Sequence, residues 1–162
     1  MTNEISVRTI EPQDNKELAK IVRDTLAEFG SDKPGTVYYD PTTDKLFELF
    51  QKERSCYFVA FRDDKMLGGA GIYPTENLPP DVCELVKVYL LPESRGIGLG
   101  KQLILQCLEA ANGFGYKQVY LETMPEMKIA IPLYERLGFQ YLENSMGNSG
   151  HFGCDVWMIK SL

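Results

Sequence analysis

Apolar positions along the chain follow two periods, and the switches between them mark out its elements. Residues 5–10 alternate as a short strand. Pro12 and Asp14 then open a helix whose apolar stripe is Leu18, Ile21, Val22, Leu26 and Phe29, with Gly30 as its stop. Residues 31–41 are turn chemistry and read as a loop, in which Tyr38 and Tyr39 either pack on the surface or wall a substrate site. Thr42 or Thr43 can cap a second helix carrying Leu46, Phe47, Leu49 and Phe50. Residues 56–61 form a strand, Asp63, Asp64 and Lys65 a hairpin turn, and residues 66–73 the return strand. Gly68, Gly69 and Gly71 in that return predict a bulge or the close approach of another backbone. A proline-bearing loop over 75–81 follows.

The next stretch, 83–111, organises the rest. Val86, Val88 and Leu90 alternate with Leu85, Lys87 and Tyr89, so the pattern predicts a strand with one set on each face. Pro92 ends it, because proline cannot donate to a sheet ladder. A glycine-rich run over 95–101 leads into a helix carrying Leu103, Ile104, Cys107, Leu108 and Ala111, which Gly113 and Gly115 close. Then come a strand over 117–123, a short helix around 129–137 stopped at Gly138, a strand over 139–142, a polar glycine-rich loop over 143–153 and a last strand over 154–159. Antiparallel strands precede the central strand–turn–helix and a second strand–helix unit follows it. That order predicts a mixed α/β sheet flanked by helices, built as one domain over 1–162 with no internal repeat.

Composition narrows the class. With 44% hydrophobic and 25% charged residues the chain is neither disordered nor a membrane span, and 162 residues suffice for a real core. The first residues lack the apolar centre of a signal peptide, so the expected location is the cytoplasm, away from any membrane. Cys56, Cys83, Cys107 and Cys154 lie far apart with no C-x-x-C pair, and read as reduced core residues, with no metal site. A net charge of −6 argues against a nucleic-acid partner and agrees with an amine substrate.

A strand that turns through glycines into a helix is suited to holding phosphate, since the first helical amides point outward unpaired and the helix dipole favours an anion there. Arg95 and Lys101 add charge at either end of the turn. A tight turn with solvated cations is the alternative. A P-loop fails, because Arg95 stands where its first glycine belongs and Gln102 where its hydroxyl belongs. A dinucleotide fingerprint fails in both registers, its third glycine falling on Lys101 or Leu103. What remains is R-x-x-G-x-G as Arg95, Gly98 and Gly100. In its apolar strand, Pro-Glu, glycine-rich turn and helix, the segment resembles the acetyl-CoA pyrophosphate loop of the GNAT superfamily of N-acetyltransferases. A second signature, Ala130, Leu133, Tyr134, Leu137, Gly138 and Phe139, and the order of elements extend the resemblance over nearly the whole chain.

The resemblance implies a mostly antiparallel sheet whose two central strands splay apart around the pantetheine arm of acetyl-CoA, the co-substrate. The main chain of Val88, Tyr89 and Leu90 is expected to pair with that arm. The amides of Arg95, Gly96, Ile97, Gly98, Leu99, Gly100 and Lys101 are expected to hold the pyrophosphate. One departure is Met127, which stands where many members carry an asparagine that contacts the arm.

Acetyl transfer to an amine needs a base for an ammonium of pKa ~10.4, an acid for the departing thiolate and a donor for the oxyanion. The resemblance makes Glu84, eleven residues before Arg95 as in several GNAT branches, the candidate base through a water, with a strand carboxylate paired to a lysine as the structural alternative. The resemblance likewise implies that Tyr134, four residues before Gly138 where the family often places a tyrosine, is the candidate acid; the alternative is a core tyrosine. A main-chain N–H of Val88 or Leu90 is the candidate oxyanion donor. His151 is a loop histidine bordering the acceptor site, and Glu122 reads as a strand-end carboxylate facing water, with a cationic substrate as its alternative partner. Two rival readings are a non-catalytic acyl-CoA-binding regulatory module and a cysteine-based acyltransferase using Cys154 with His151. The acceptor is a small-molecule or peptide amine, walled by the loops over 31–41, 75–81 and 144–153, and the last strand can serve a homodimer as an exposed edge.

Overall fold

A computed structural model describes residues 4–148 and 153–162. Its elements are β1 (Ile5–Thr9), α1 (Asn15–Glu28), α2 (Leu46–Leu49), β2 (Cys56–Arg62), β3 (Lys65–Tyr73), β4 (Val82–Leu90), α3 (Leu99–Gly113), β5 (Gln118–Thr123), α4 (Ala130–Arg136), β6 (Gln140–Leu142) and β7 (Val156–Ser161). The strands form one sheet in the order β1-β2-β3-β4-β5-β7-β6. Neighbours are antiparallel except β4 and β5, which run parallel because α3 returns the chain between them. One buried cluster packs α3 and α4 on the sheet through Leu103, Ile104, Cys107, Leu121 and Phe139. A second packs α1 and α2 on it through Leu18, Val22, Leu26, Leu46 and Val59. Among the described residues, no helix is long and apolar enough to cross a membrane.

Two irregularities in β4 shape everything that follows. Its pairing with β5 covers only Val82, Cys83 and Glu84, opposite Gln118, Val119 and Tyr120. Beyond Glu84 the two strands diverge and leave a gap in the middle of the sheet. On the other side, Gly69 faces Tyr89 while Gly71 faces Val86, so β4 carries one more residue than β3 over this span. Lys87, within the bulge, takes the left-handed conformation, φ +54°.

The bulge overturns the face assignment drawn from simple alternation. Leu85 packs with Val88 and Leu90 in the α3 cluster, whereas Val86 and Tyr89 pack in the α1 cluster. The extra residue resets the period, so Leu85, Lys87 and Tyr89 do not share a face. The glycines of β3 permit this geometry. A Cβ on Gly68, at φ +145°, would strike the carbonyl of Tyr89, and one on Gly69 would lie 2.5 Å from both the Phe58 carbonyl and the Tyr57 ring. Tyr57, fully buried, then donates its hydroxyl to the Lys87 carbonyl at 2.6 Å and pins the bulge.

Three other expectations are corrected. Residues 31–41 are not uniformly loop but hold a 3₁₀ turn at Val37–Tyr39 and the start of another at Pro41–Asp44. Neither Thr42 nor Thr43 caps α2, whose N-cap Lys45 makes no side-chain capping bond, and Asp40 caps the preceding 3₁₀ turn instead. It accepts from the Thr42 amide at 2.9 Å, and Pro41 sets the backbone angle for the turn it starts. Thr43 is buried instead, donating to the Val37 carbonyl at 2.8 Å. The last strand is not an edge, since β7 lies between β5 and β6 and the free edges belong to β1 and β6.

Candidate active site

The glycine-rich turn delivers a helix start with no internal partners. Gly96 and Gly98 both sit at φ +79°, and no atom lies within 4 Å of where a Cβ would stand on either. Gly98 is the N-cap of α3 and has no side chain to cap it. The first bond of the helix runs from the Gln102 amide to the Gly98 carbonyl at 3.0 Å. Among the described residues, none accepts from the amides of 96–101. These donors lie at the positive end of a helix of about four turns and are available to an anion.

Arg95 serves a different part of the structure. Its amide donates to the Pro92 carbonyl at 3.2 Å. Its guanidinium grips Glu28 with two bonds of 2.6 and 2.9 Å, donates to the Leu90 carbonyl at 2.9 Å and lies over the Phe29 ring. It therefore ties α1 to the end of β4, and its hydrogen bond holds the Glu28 carboxyl below its ordinary range. Lys101 and Ile97 are exposed on the outer side of the turn.

The gap between β4 and β5 is a cleft lined by Glu84, Lys87, Tyr89, Met127, Tyr134 and Cys154. Through Val88, Tyr89, Met127 and Ala130 it continues into a depression along Leu90, Arg95 and Gly100, and so to the unpaired amides. At its other end it shares Glu84, Val86 and Lys87 with an outer cavity of about 430 Å³. Asp40, Thr75, Glu76 and Asn148 wall that cavity, which brings together the three loops expected there. The Asn148 amide donates to the Glu76 carbonyl at 2.6 Å and the Gly153 amide to the Gly35 carbonyl at 2.8 Å, so the loops brace one another.

Glu84 stands where the cleft and the outer cavity meet. It is 4% exposed, and burial pushes its pKa up to about 7. The Thr75 hydroxyl, donating at 2.5 Å, and Lys87 pull against that rise, while Glu122 adds to it. Tyr134 is buried edge-on to Phe139, with its ring 5.9 Å away, and burial raises its pKa, so its hydroxyl keeps its proton at any working pH. Glu122 is half-buried in the cleft instead of facing water, and accepts from the Tyr120 hydroxyl at 2.7 Å. The Cys154 thiol also lines the cleft. Burial and the nearby carboxylates push it up to about 12, which leaves almost no thiolate at neutral pH. His151 lies outside the described residues.

Two residues of the site escaped the pattern reading. The pattern marks Thr75 only as the start of a loop, and Lys87 only as a strand position. A lysine within a run that is otherwise apolar was the available signal for the second.

Known proteins resemble this chain in both sequence and fold. Residues 18–139 match the family described as Acetyltransferase (GNAT). A protein named Uncharacterized N-acetyltransferase YjgM, from Escherichia coli strain K12, is 40% identical over 158 residues, covering 96% of this chain and 94% of that one. N-acetyltransferase 8 of Homo sapiens is 32% identical over 119 residues, or 69% of this chain and 52% of that one. Among solved structures, an acetyltransferase of the GNAT family from Staphylococcus aureus Mu50 superposes with a TM-score of 0.86 at 15% identity, over 98% of this chain and 99% of that one. The PaiA N-acetyltransferase of Thermoplasma acidophilum, in complex with coenzyme A, superposes with a TM-score of 0.77 at 18% identity, over 98% and 99%. At such identities the superpositions speak to fold alone.

Proposed function

The chain belongs to the GNAT family of acetyltransferases, and from that premise we propose that it acts as one catalytic domain over 1–162. It moves the acetyl group of acetyl-CoA to a primary amine by direct attack in a ternary complex. The observation that carries this reading is the position of Glu84, a buried carboxyl with a pKa near neutrality, between the outer cavity and a cleft that leads to unpaired helix amides. PaiA, which shares the fold, is in complex with coenzyme A, and this supports acetyl-CoA as the co-substrate.

Acetyl-CoA supplies an activated acyl carbon and a sulfur leaving group. The amides of 96–101 hold its pyrophosphate. Val88 and Tyr89 offer main-chain groups to the pantetheine arm, while the Leu90 carbonyl already accepts from Arg95. Met127, buried between cleft and depression, gives the arm an apolar contact where a hydrogen-bonding side chain is absent. Glu84 takes the proton of the incoming ammonium through a water, because a carboxyl with a pKa near 7 is substantially ionised at neutral pH. The amide of Val88, just past the bulge, is the donor for the developing oxyanion. Tyr134 donates toward the departing sulfur.

The reading is tested by free-thiol release from acetyl-CoA with a panel of amines, with products identified by mass spectrometry. Turnover with at least one amine is expected. Tight acetyl-CoA binding with no transfer to any amine would instead mark a non-catalytic binding module. Tyr134→Phe is expected to lower kcat by ~10²-fold, the lower end for a positioned acid, with KM for acetyl-CoA nearly unchanged. The defect should shrink for thioesters with more acidic leaving thiols. An equal loss across all thioesters would remove Tyr134 from proton donation.

A further inference from the structure

Lys87 is a charged side chain of the cleft that amine acetylation does not call for. It is 7% exposed and lines both the cleft and the outer cavity. Among the described residues, no carboxylate comes within ion-pairing distance of its side-chain nitrogen. Burial draws its pKa below the ordinary lysine value, and the longer-range attraction of Asp40 and Glu84 opposes that only in part. Glu84 is a poor standing counter-ion, since burial leaves it only partly ionised near pH 7. The position of Lys87 is also fixed. The bulge holds its backbone at φ +54°, and the Tyr57 hydroxyl grips its carbonyl. A second cation, the exposed Lys52, lines the outer cavity as well.

A simple amine reaches this cavity as a cation and can only disfavour the charged form of a lysine that burial already disfavours. That competition between the two charges works against polyamines and other purely cationic acceptors. An acceptor that brings its own anion favours the protonated form instead, and supplies the close counter-charge that Lys87 lacks among the described residues. The carboxylates of the same wall, Glu84 and Glu76, suit its ammonium end. A cavity of about 430 Å³ has the scale of a small-molecule site.

We propose that Lys87, helped by Lys52 at the rim, seats a carboxylate, so that the acceptor is a free amino acid whose reacting amine lies a few bonds from that carboxylate. The inference rests on the acetyltransferase reading and names the substrate class of the same site.

Matched pairs test it. Free amino acids, the corresponding amino-acid carboxamides and a simple diamine are compared by kcat/KM, each corrected for the fraction of unprotonated amine. The free acids are expected to lead by about 10-fold or more, the scale of one charge-assisted hydrogen bond. Lys87→Met should collapse the acid-to-amide ratio toward one, and Lys87→Arg should keep most of it. Lys52→Met, at an exposed position that does not endanger folding, should lower the ratio a few-fold. Carboxamides or the diamine turning over better than the free acids would overturn the inference while leaving the acetyltransferase reading intact. Acetyl-CoA binding without transfer to any of these amines would overturn both.

Discussion

Gly98→Asp is expected to weaken acetyl-CoA binding by ~10²-fold or more while leaving the protein folded. The backbone at Gly98 is left-handed, at φ +79° and ψ 6°, and after glycine it is aspartate and asparagine that enter this region most readily. No atom lies within 4 Å of the new Cβ, so the side chain has room. A negative charge at the start of α3 is favourable to the helix itself, which offsets part of the backbone cost. Thermal stability should therefore change by only a few degrees.

The same carboxylate would stand among the amides of 96–101 and confront a diphosphate seated there. Two unit charges ~4 Å apart in an effective dielectric of ~20 repel by about 4 kcal/mol, and solvent at this open turn reduces that to something nearer the stated loss. Gly98→Asn has almost the same shape without the charge and should lose no more than about 10-fold, because only shape and backbone strain are altered. Titration calorimetry of acetyl-CoA into both variants decides. If aspartate and asparagine weaken binding alike, the diphosphate is not held by this turn, and the assignments along the cleft lose their fixed point.

The glycine turn was legible because its chemistry is local. Free helix amides and left-handed glycines are written into consecutive residues, and so are the stops at Gly30 and Gly138, both at positive φ. The bulge was half legible. Gly68, Gly69 and Gly71 announced a close approach, but its effect falls on the partner strand, where Lys87 changes face without any mark in its own neighbourhood. Nothing local distinguishes β7 as interior from β7 as edge, because that depends on β6 folding back against it. Glu122 was misread for a related reason. A position near a strand end looks solvated in a closed sheet, yet it lines a cleft once β4 and β5 diverge. The sequence thus yields local geometry well and yields poorly what one strand does to another.

Glu84→Gln is expected to lower kcat by ~10²–10³-fold and at the same time to stabilise the protein at alkaline pH. The two effects have one cause. Burial raises the carboxyl from an ordinary 4.5 to about 7, so the fold favours its protonated form. Its favourable contribution is complete below the unfolded pKa and is lost as pH rises through about 7. Above that the fold bears roughly 3 kcal/mol for keeping a carboxylate in place, a difference of ~2.5 pKa steps at ~1.36 kcal/mol each. Glutamine keeps an oxygen to accept from Thr75 and carries no charge, so the variant should melt several degrees above the parent at pH 8 and at nearly the same temperature at pH 4.5. Activity follows the opposite course. In the parent, kcat/KM should climb with pH through about 7 as Glu84 becomes able to take a proton, and in the variant that limb should vanish, with acetyl-CoA affinity kept. A variant that gains alkaline stability but retains the parent's pH profile would leave Glu84 as a buried carboxyl with no part in the chemistry, and the base would have to be sought elsewhere on the wall of the outer cavity.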